Sequence, residues 1–209
     1  PTVHMGSRTT SYILQGVTDA HTDFAKSFKE NHWFNIAGID VWDDSARCIA
    51  IIGNSITDGK CSPNNAQNRW PDIMAETLQD KYKVKDLGVL NLGIGNNRVA
   101  LPGGFGYMAK ERFDHDILGQ NGVKSVIIFE GVNDIAASKG NGETVVRKLI
   151  EAYGEMIKKA KDRHLKVYLG TITPFLGSGV YSVSHEAARE EVNDWIRSQK
   201  DKVDGILDF

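Results

Sequence analysis

Cysteine is nearly missing from this chain. There are two in 209 residues, Cys48 and Cys61, which excludes both a disulfide framework and a thiolate metal cluster. Cys48 falls in an apolar run and reads as a small buried residue, a Cys48–Cys61 bridge being the lesser alternative. Long hydrophobic runs are missing too. No stretch approaches the roughly 18 apolar residues that cross a bilayer. Neither sign of charge dominates: 25 Lys and Arg stand against 27 Asp and Glu, a net charge of −2, with a pI near 6.3. A basic field that would draw nucleic acid is therefore excluded. The cluster Lys158, Lys159, Lys161 and Arg163 closes a predicted helix, where cations suit the negative end of the dipole, and reads as a solvated face. No His, Cys, Asp and Glu spacing matches a zinc site, and there is no internal repeat. The first residues, Pro1-Thr2-Val3-His4, carry no signal-peptide pattern and read as the interior of a domain.

What is present is an ordinary globular balance, 41% hydrophobic and 25% charged, in a chain long enough for one α/β domain and a modest appendage. Residues 1–46 hold short β-type runs at 9–14 and 33–42, with the polar stretch 18–31 between them. From residue 47 to 209 the pattern alternates. Apolar strands are expected at 48–52, 88–92, 125–129, 166–171 and 205–207, and helices at 69–82, 107–118, 143–161 and 185–199. The third helix is the clearest: Val145, Val146, Leu149, Ile150, Tyr153, Met156, Ile157 and Ala160 recur at i, i+3, i+4 spacing and make one apolar stripe. Strands apolar on both faces, alternating with amphipathic helices, predict a parallel sheet covered on both sides. With right-handed crossovers this is a doubly wound α/β sandwich, whose ligands bind beyond the carboxyl ends of its strands.

Three of those ends carry unusual loops. After the first strand comes Gly53-Asn54-Ser55-Ile56-Thr57-Asp58-Gly59, in which a serine is held in a tight turn. After the second comes Asn91-Leu92-Gly93-Ile94-Gly95-Asn96-Asn97-Arg98, and after the third Glu130-Gly131-Val132-Asn133-Asp134. Each alone could be a structural turn of residues tolerant of positive φ. Together they gather a hydroxyl nucleophile and amide donors on one rim, the equipment for stabilising a tetrahedral oxyanion.

These blocks resemble those of the SGNH (GDSL-like) hydrolases: residues 53–59 the first block, 91–98 the second and 131–134 the third. The resemblance implies a five-stranded flavodoxin-like sandwich, serine-dependent hydrolysis of carboxylic esters, and no metal or organic cofactor. It makes Ser55 the nucleophile. The oxyanion hole would be Ser55 N–H, a backbone N–H at Gly95 or Asn96, and the Asn133 side chain. The stretch Gly6-Ser7-Arg8-Thr9-Thr10-Ser11-Tyr12, with residues 33–42, resembles a subgroup carrying a β-sandwich-like region ahead of the catalytic domain. That likeness implies a secreted or periplasmic carbohydrate esterase. With no long apolar lid, short acyl groups such as acetyl on sugars are the expected substrates.

The chain departs from the family pattern in three places. Asn54 stands where an aspartate is usual. The second-block glycine aligns with Asn96, and Gly95 comes one residue early. An Asp-x-x-His block, which would supply the base and its orienting acid, is not found. None of His4, His21, His32, His115, His164 and His185 follows an Asp by three residues, although His185 lies nearest the rim. The expectation is that the native protein continues past Phe209 with that Asp and His, and that its β-rich segment begins upstream of Pro1. Two other readings compete. A phosphate-binding loop at residues 53–60 fails on spacing, since Gly-x4-Gly-Lys-Ser/Thr is needed and Cys61 follows Lys60. A non-catalytic carbohydrate-binding protein retaining the fold is the alternative from another class.

Overall fold

A computed structural model describes residues 3–4, 7–16, 19, 23–34 and 40–209. Five parallel strands form its centre: β5 (Arg47–Gly53), β6 (Leu87–Gly93), β7 (Val123–Phe129), β8 (Lys166–Gly170) and β9 (Gly205–Leu207). Their spatial order is β6-β5-β7-β8-β9, which is 2-1-3-4-5 counted along the sheet's own strands and is the flavodoxin-like order. The strands are apolar on both faces because both faces are covered. Ala50, Ile52, Val126 and Ile128 point into the larger core cluster, while Ile51, Ile127 and Phe129, alternating with them, point into the smaller one. This is the period-two geometry of a strand.

Helices α3 (Ala109–Phe113), α5 (Gly142–Asp162) and α6 (Val183–Ser198) supply side chains to the larger cluster. Helix α2 (Trp70–Glu76) covers the other face with Trp70 and Met74. Of the stripe expected on α5, Val145, Val146, Leu149, Tyr153, Met156 and Ala160 are buried, and Ile150 and Ile157 partly so. Both α2 and α3 end in a π-type turn, at Thr77–Lys81 and Asp114–Leu118. The basic cluster at the end of α5 is solvated and partly paired: Lys158 with Asp162, Lys159 with Asp114, and Lys161 with Asp204. Cys48 and Cys61 are both free thiols.

The first 46 residues differ more from expectation. Strand β1 (Val3–His4) pairs with β4 (Trp33–Phe34), and β2 (Ser11–Ile13) with β3 (Phe28–Glu30), both antiparallel. The expected run at 33–42 is a strand only at its start, and residues 35–39 lie outside the described ones. Strand β3 sits inside what reads as a polar linker, because three residues paired at an exposed edge need no apolar pattern. This segment docks on the stretch before α2. Asn65 N–H donates to Arg8 O, Asn65 Oδ1 accepts from Thr10 N–H, and the Arg69 guanidinium donates to Ser7 O.

Candidate active site

Two short helices that no sequence periodicity marks begin at the ends of β5 and β7: α1 (Ser55–Asp58) and α4 (Val132–Ala136). The serine loop is therefore not a simple turn. Asn54, in extended backbone, caps α1, its Oδ1 accepting from Ile56 N–H at 2.9 Å. That bond needs a side-chain oxygen and no charge, so asparagine serves where the family has aspartate. Ser55 is the first residue of α1, and a first-turn N–H has no partner within its helix. Its side chain is half-buried. Helix α1 lies close against the end of β6: a Cβ on Gly93 would stand 2.4 Å from Asp58 N, so glycine is required there.

The second loop is tied to the first through Ile94 N–H, which donates to Gly53 O at 3.0 Å, and through Asn91 Nδ2, which donates to Thr57 O at 2.8 Å. Asn97 N–H then closes a turn on Ile94 O. Within that turn Asn96 takes a left-handed conformation, φ 54°, and Gly95 does not. Asn97 is buried, and its amide donates to Phe105 O (2.6 Å) and Tyr107 O (2.8 Å).

Helix α4 carries the third set. Asn133 Nδ2 donates to Asn97 O at 2.8 Å. A side-chain amide has two N–H donors, so one anchors the group and the other remains for a ligand. Asp134 is fully buried, and its carboxylate accepts from Val99, Ala100 and Leu101 N–H at 2.8–2.9 Å. Burial pushes its pKa up, against the opposing pull of those three donors and of Arg98. Gly131 enters α4 at φ 126°, and a Cβ there would meet the Tyr153 hydroxyl at 2.6 Å.

Ser55, Gly95, Asn96 and Asn133 thus stand at the adjacent ends of β5, β6 and β7, on loops joined by hydrogen bonds. His115 and His185 have their hydrogen bonds elsewhere. His115 Nδ1 meets Asp116 at 2.8 Å on an exposed surface, and His185 Nδ1 meets Val180 O at 2.7 Å in the segment leading into α6. His164 closes α5 in a left-handed conformation, His32 lies beside Glu30, and the side chains of His4 and His21 are outside the described residues. Neither His115 nor His185 hydrogen-bonds to Ser55. Among the described residues no group of three or more His, Cys, Asp or Glu gathers as a metal site would need, and no helix is long and apolar enough to cross a membrane.

Two buried charges at this rim escape sequence reasoning. Arg112 is 5% exposed and donates to Gly53 O, Leu92 O, Asn97 Oδ1 and Asp116. Its signal was a cation on the apolar face of a helix, in one stripe with Ala109, Phe113, Asp116 and Ile117. Glu130 extends the apolar run Val126–Phe129 and is buried. Its carboxylate oxygens have no hydrogen-bond partner, and one lies 3.8 Å from Arg112. Burial pushes its pKa up to about 8, against the attraction of Arg112 and with the repulsion of Asp134.

Residues 51–209 match the profile of the GDSL-like lipase/acylhydrolase family. Among solved structures, a lipolytic protein of the G-D-S-L family from Desulfitobacterium hafniense DCB-2 is 25% identical, with 77% of this chain and 76% of that one aligned and a TM-score of 0.58. An acetyl xylan esterase, AlAXEase, is 24% identical over 77% and 76% of the chains, TM-score 0.59. AlinE4, an SGNH-hydrolase family esterase, is 15% identical over 78% and 75%, TM-score 0.55. At such identities the last two share the fold alone. No curated protein sequence gives a significant match.

Proposed function

The chain belongs to the GDSL-like lipase/acylhydrolase family, and from that we propose that it hydrolyses carboxylic esters with Ser55 as nucleophile. Attack of the Ser55 oxygen on the ester carbonyl makes a tetrahedral oxyanion. Loss of the alcohol leaves an acyl-serine, and water then releases the acid. The oxyanion donors in this reading are Ser55 N–H, the backbone N–H at Gly95 or Asn96, and the free N–H of the Asn133 amide. The left-handed backbone of Asn96 supports its standing in for the second-block glycine. All three donors are neutral and held before the substrate arrives, which is what lowers the barrier.

The observation that carries the reading is the Asn133 amide, pinned by one N–H to Asn97 O and left with a second N–H on the rim that holds Ser55. The test is Ser55→Ala assayed on a short-chain nitrophenyl ester and with a fluorophosphonate probe. Turnover and labelling should both vanish while the circular dichroism spectrum stays unchanged. Undiminished turnover in the folded variant would reject the assignment.

The proposed substrates are short acyl esters, notably acetyl groups and including those on carbohydrate. The likeness of fold to a protein named as an acetyl xylan esterase supports this, as does the family resemblance of residues 6–12. Residues 1–46 are the β-rich appendage of this reading and 47–209 its hydrolase domain, with a secreted or periplasmic location. The second reading is a carbohydrate-binding protein that keeps the fold without turnover. Such a protein would bind a glycan ester and leave the fluorophosphonate unreacted.

A further inference from the structure

We propose that Arg112 is the positioning residue of the oxyanion hole, one buried guanidinium holding its three donors in register from beneath. This rests on the esterase reading above. A guanidinium has five N–H donors in a rigid planar fork. Four of them are committed here: Nε to Asn97 Oδ1 at 3.0 Å, Nη1 to Leu92 O at 2.8 Å and to Asp116 at 2.9 Å, and Nη2 to Gly53 O at 3.2 Å. The other side of Nη2 faces Glu130, whose nearer oxygen is 3.8 Å away.

The acceptors are not scattered. Gly53 is the last residue of β5, two before Ser55, and its carbonyl also receives Ile94 N–H. Leu92 lies near the end of β6, three residues before Gly95. Asn97 follows Asn96 directly, and its backbone carbonyl is the anchor of the Asn133 amide. Each oxyanion donor of this reading is therefore within a few residues of a group that Arg112 holds, or hydrogen-bonded to one. Glu130 completes the arrangement at the end of β7 as a buried carboxyl group without a hydrogen bond of its own. Lysine could not take this place, since a single ammonium has three donors on a flexible stem and no fork.

The distinction from a residue that only stabilises the fold lies in what moves when the fork is lost. Displacement by about 1 Å of groups that act on the transition state costs on the order of 10²-fold in rate. A loss of stability alone leaves the rate per folded molecule untouched.

The experiment compares the native protein with Arg112→Lys, Asn133→Ala and the double variant at 25 °C, with Ser55→Ala as the inactive control and folded fraction measured by circular dichroism. Arg112→Lys should lower kcat per folded molecule by about 10- to 10³-fold with KM changed by less than about threefold. In the Asn133→Ala background the same substitution should cost several-fold less, because one donor it positions is already gone. Unchanged kcat per folded molecule, or losses that simply multiply in the double variant, would overturn the proposal. If Arg112→Lys does not fold, Asp116→Ala carries the test. It removes one acceptor from a side chain 22% exposed, and should lower kcat at least threefold at constant KM; an unaltered kcat would again overturn the proposal. An inactive native protein would fail the esterase reading itself and take this proposal with it. An active one with a fully active Arg112→Lys fails the proposal alone.

Discussion

Glu130→Gln should make the protein more stable, and only where the pH is high enough to charge the native carboxyl. In the native state burial lifts the Glu130 pKa from 4.5 to about 8. The folded protein therefore holds this proton more tightly than the unfolded chain does. Below about pH 4.5 both states are protonated and the group costs nothing. Between about 4.5 and 8 the unfolded chain releases the proton and the folded one keeps it, so stability falls as pH rises; above about 8 the full cost is present. At 1.36 kcal/mol for each tenfold in proton affinity, the ceiling on that cost is about 5 kcal/mol. Glutamine has the same shape and no charge, so it matches the protonated acid and removes the penalty. The groups facing Glu130 are Arg112, Asp134 and the Tyr153 hydroxyl on its carbonyl, and all three remain in the variant. Urea titrations of both proteins at pH 5 and pH 9 check this. The variant should gain several kcal/mol over the native protein at pH 9 and about 1 kcal/mol or less at pH 5. The same difference at both pH values would refute the burial argument, because it would show that the Glu130 charge is not what the fold pays for.

Two other predictions follow from the rim. Asn133→Ala removes one of the proposed oxyanion donors and should lower kcat by about 10²–10³ with little change in KM; steady-state kinetics that place the whole loss in KM would put Asn133 in ground-state binding. Asp134→Ala leaves the N–H groups of Val99, Ala100 and Leu101 without their acceptor, at about 1–3 kcal/mol for each buried donor. Denaturant titration should show at least about 3 kcal/mol of destabilisation, and a loss under about 1 kcal/mol would show that the loop finds other acceptors.

The sheet was legible because its strands are buried twice over. Ile49, Ala50, Ile51 and Ile52 can be a continuous apolar run only where both faces are covered, and α5 carries a stripe about four turns long, from Val145 to Ala160. Helices α1 and α4 were not legible. Four or five residues are too few for a 3.6-residue period, and such helices persist through capping and packing rather than propensity. The candidate site was legible as a set of residues, since a serine and two asparagines at strand ends are visible in the sequence itself. Its support was not. Arg112 lies 15 residues beyond Asn97 and 18 before Glu130 in the chain, and the sheet order alone brings these three together. Asn97 and Asp134 read as turn formers although each is buried, Asp134 engaged by backbone N–H groups and Asn97 by two backbone carbonyls and the Arg112 side chain.

The distribution of charge at the rim bears on why asparagine is tolerated at position 54. A tetrahedral oxyanion gains from donors and loses from any carboxylate nearby, since Coulomb energies grow as water is excluded. The residue capping α1 needs only an oxygen, and Asn54 gives it without a negative charge beside Ser55. Glu130 follows the same logic from below. With a pKa near 8 it is largely neutral at pH 7, and the carboxylate that Arg112 hydrogen-bonds is instead that of Asp116, partly exposed in the turn that ends α3. Asp134 is buried, as Asp58 is, and its oxygens are occupied by the backbone N–H groups of Val99, Ala100 and Leu101, just past the second loop. In the proposed mechanism the developing oxyanion would thus meet neutral donors with a cation behind them. In this arrangement an aspartate at position 54 would strengthen the cap, through a charged acceptor at a helix N-terminus, at the expense of a negative charge next to the reacting oxygen. Asparagine keeps the geometry and omits the charge.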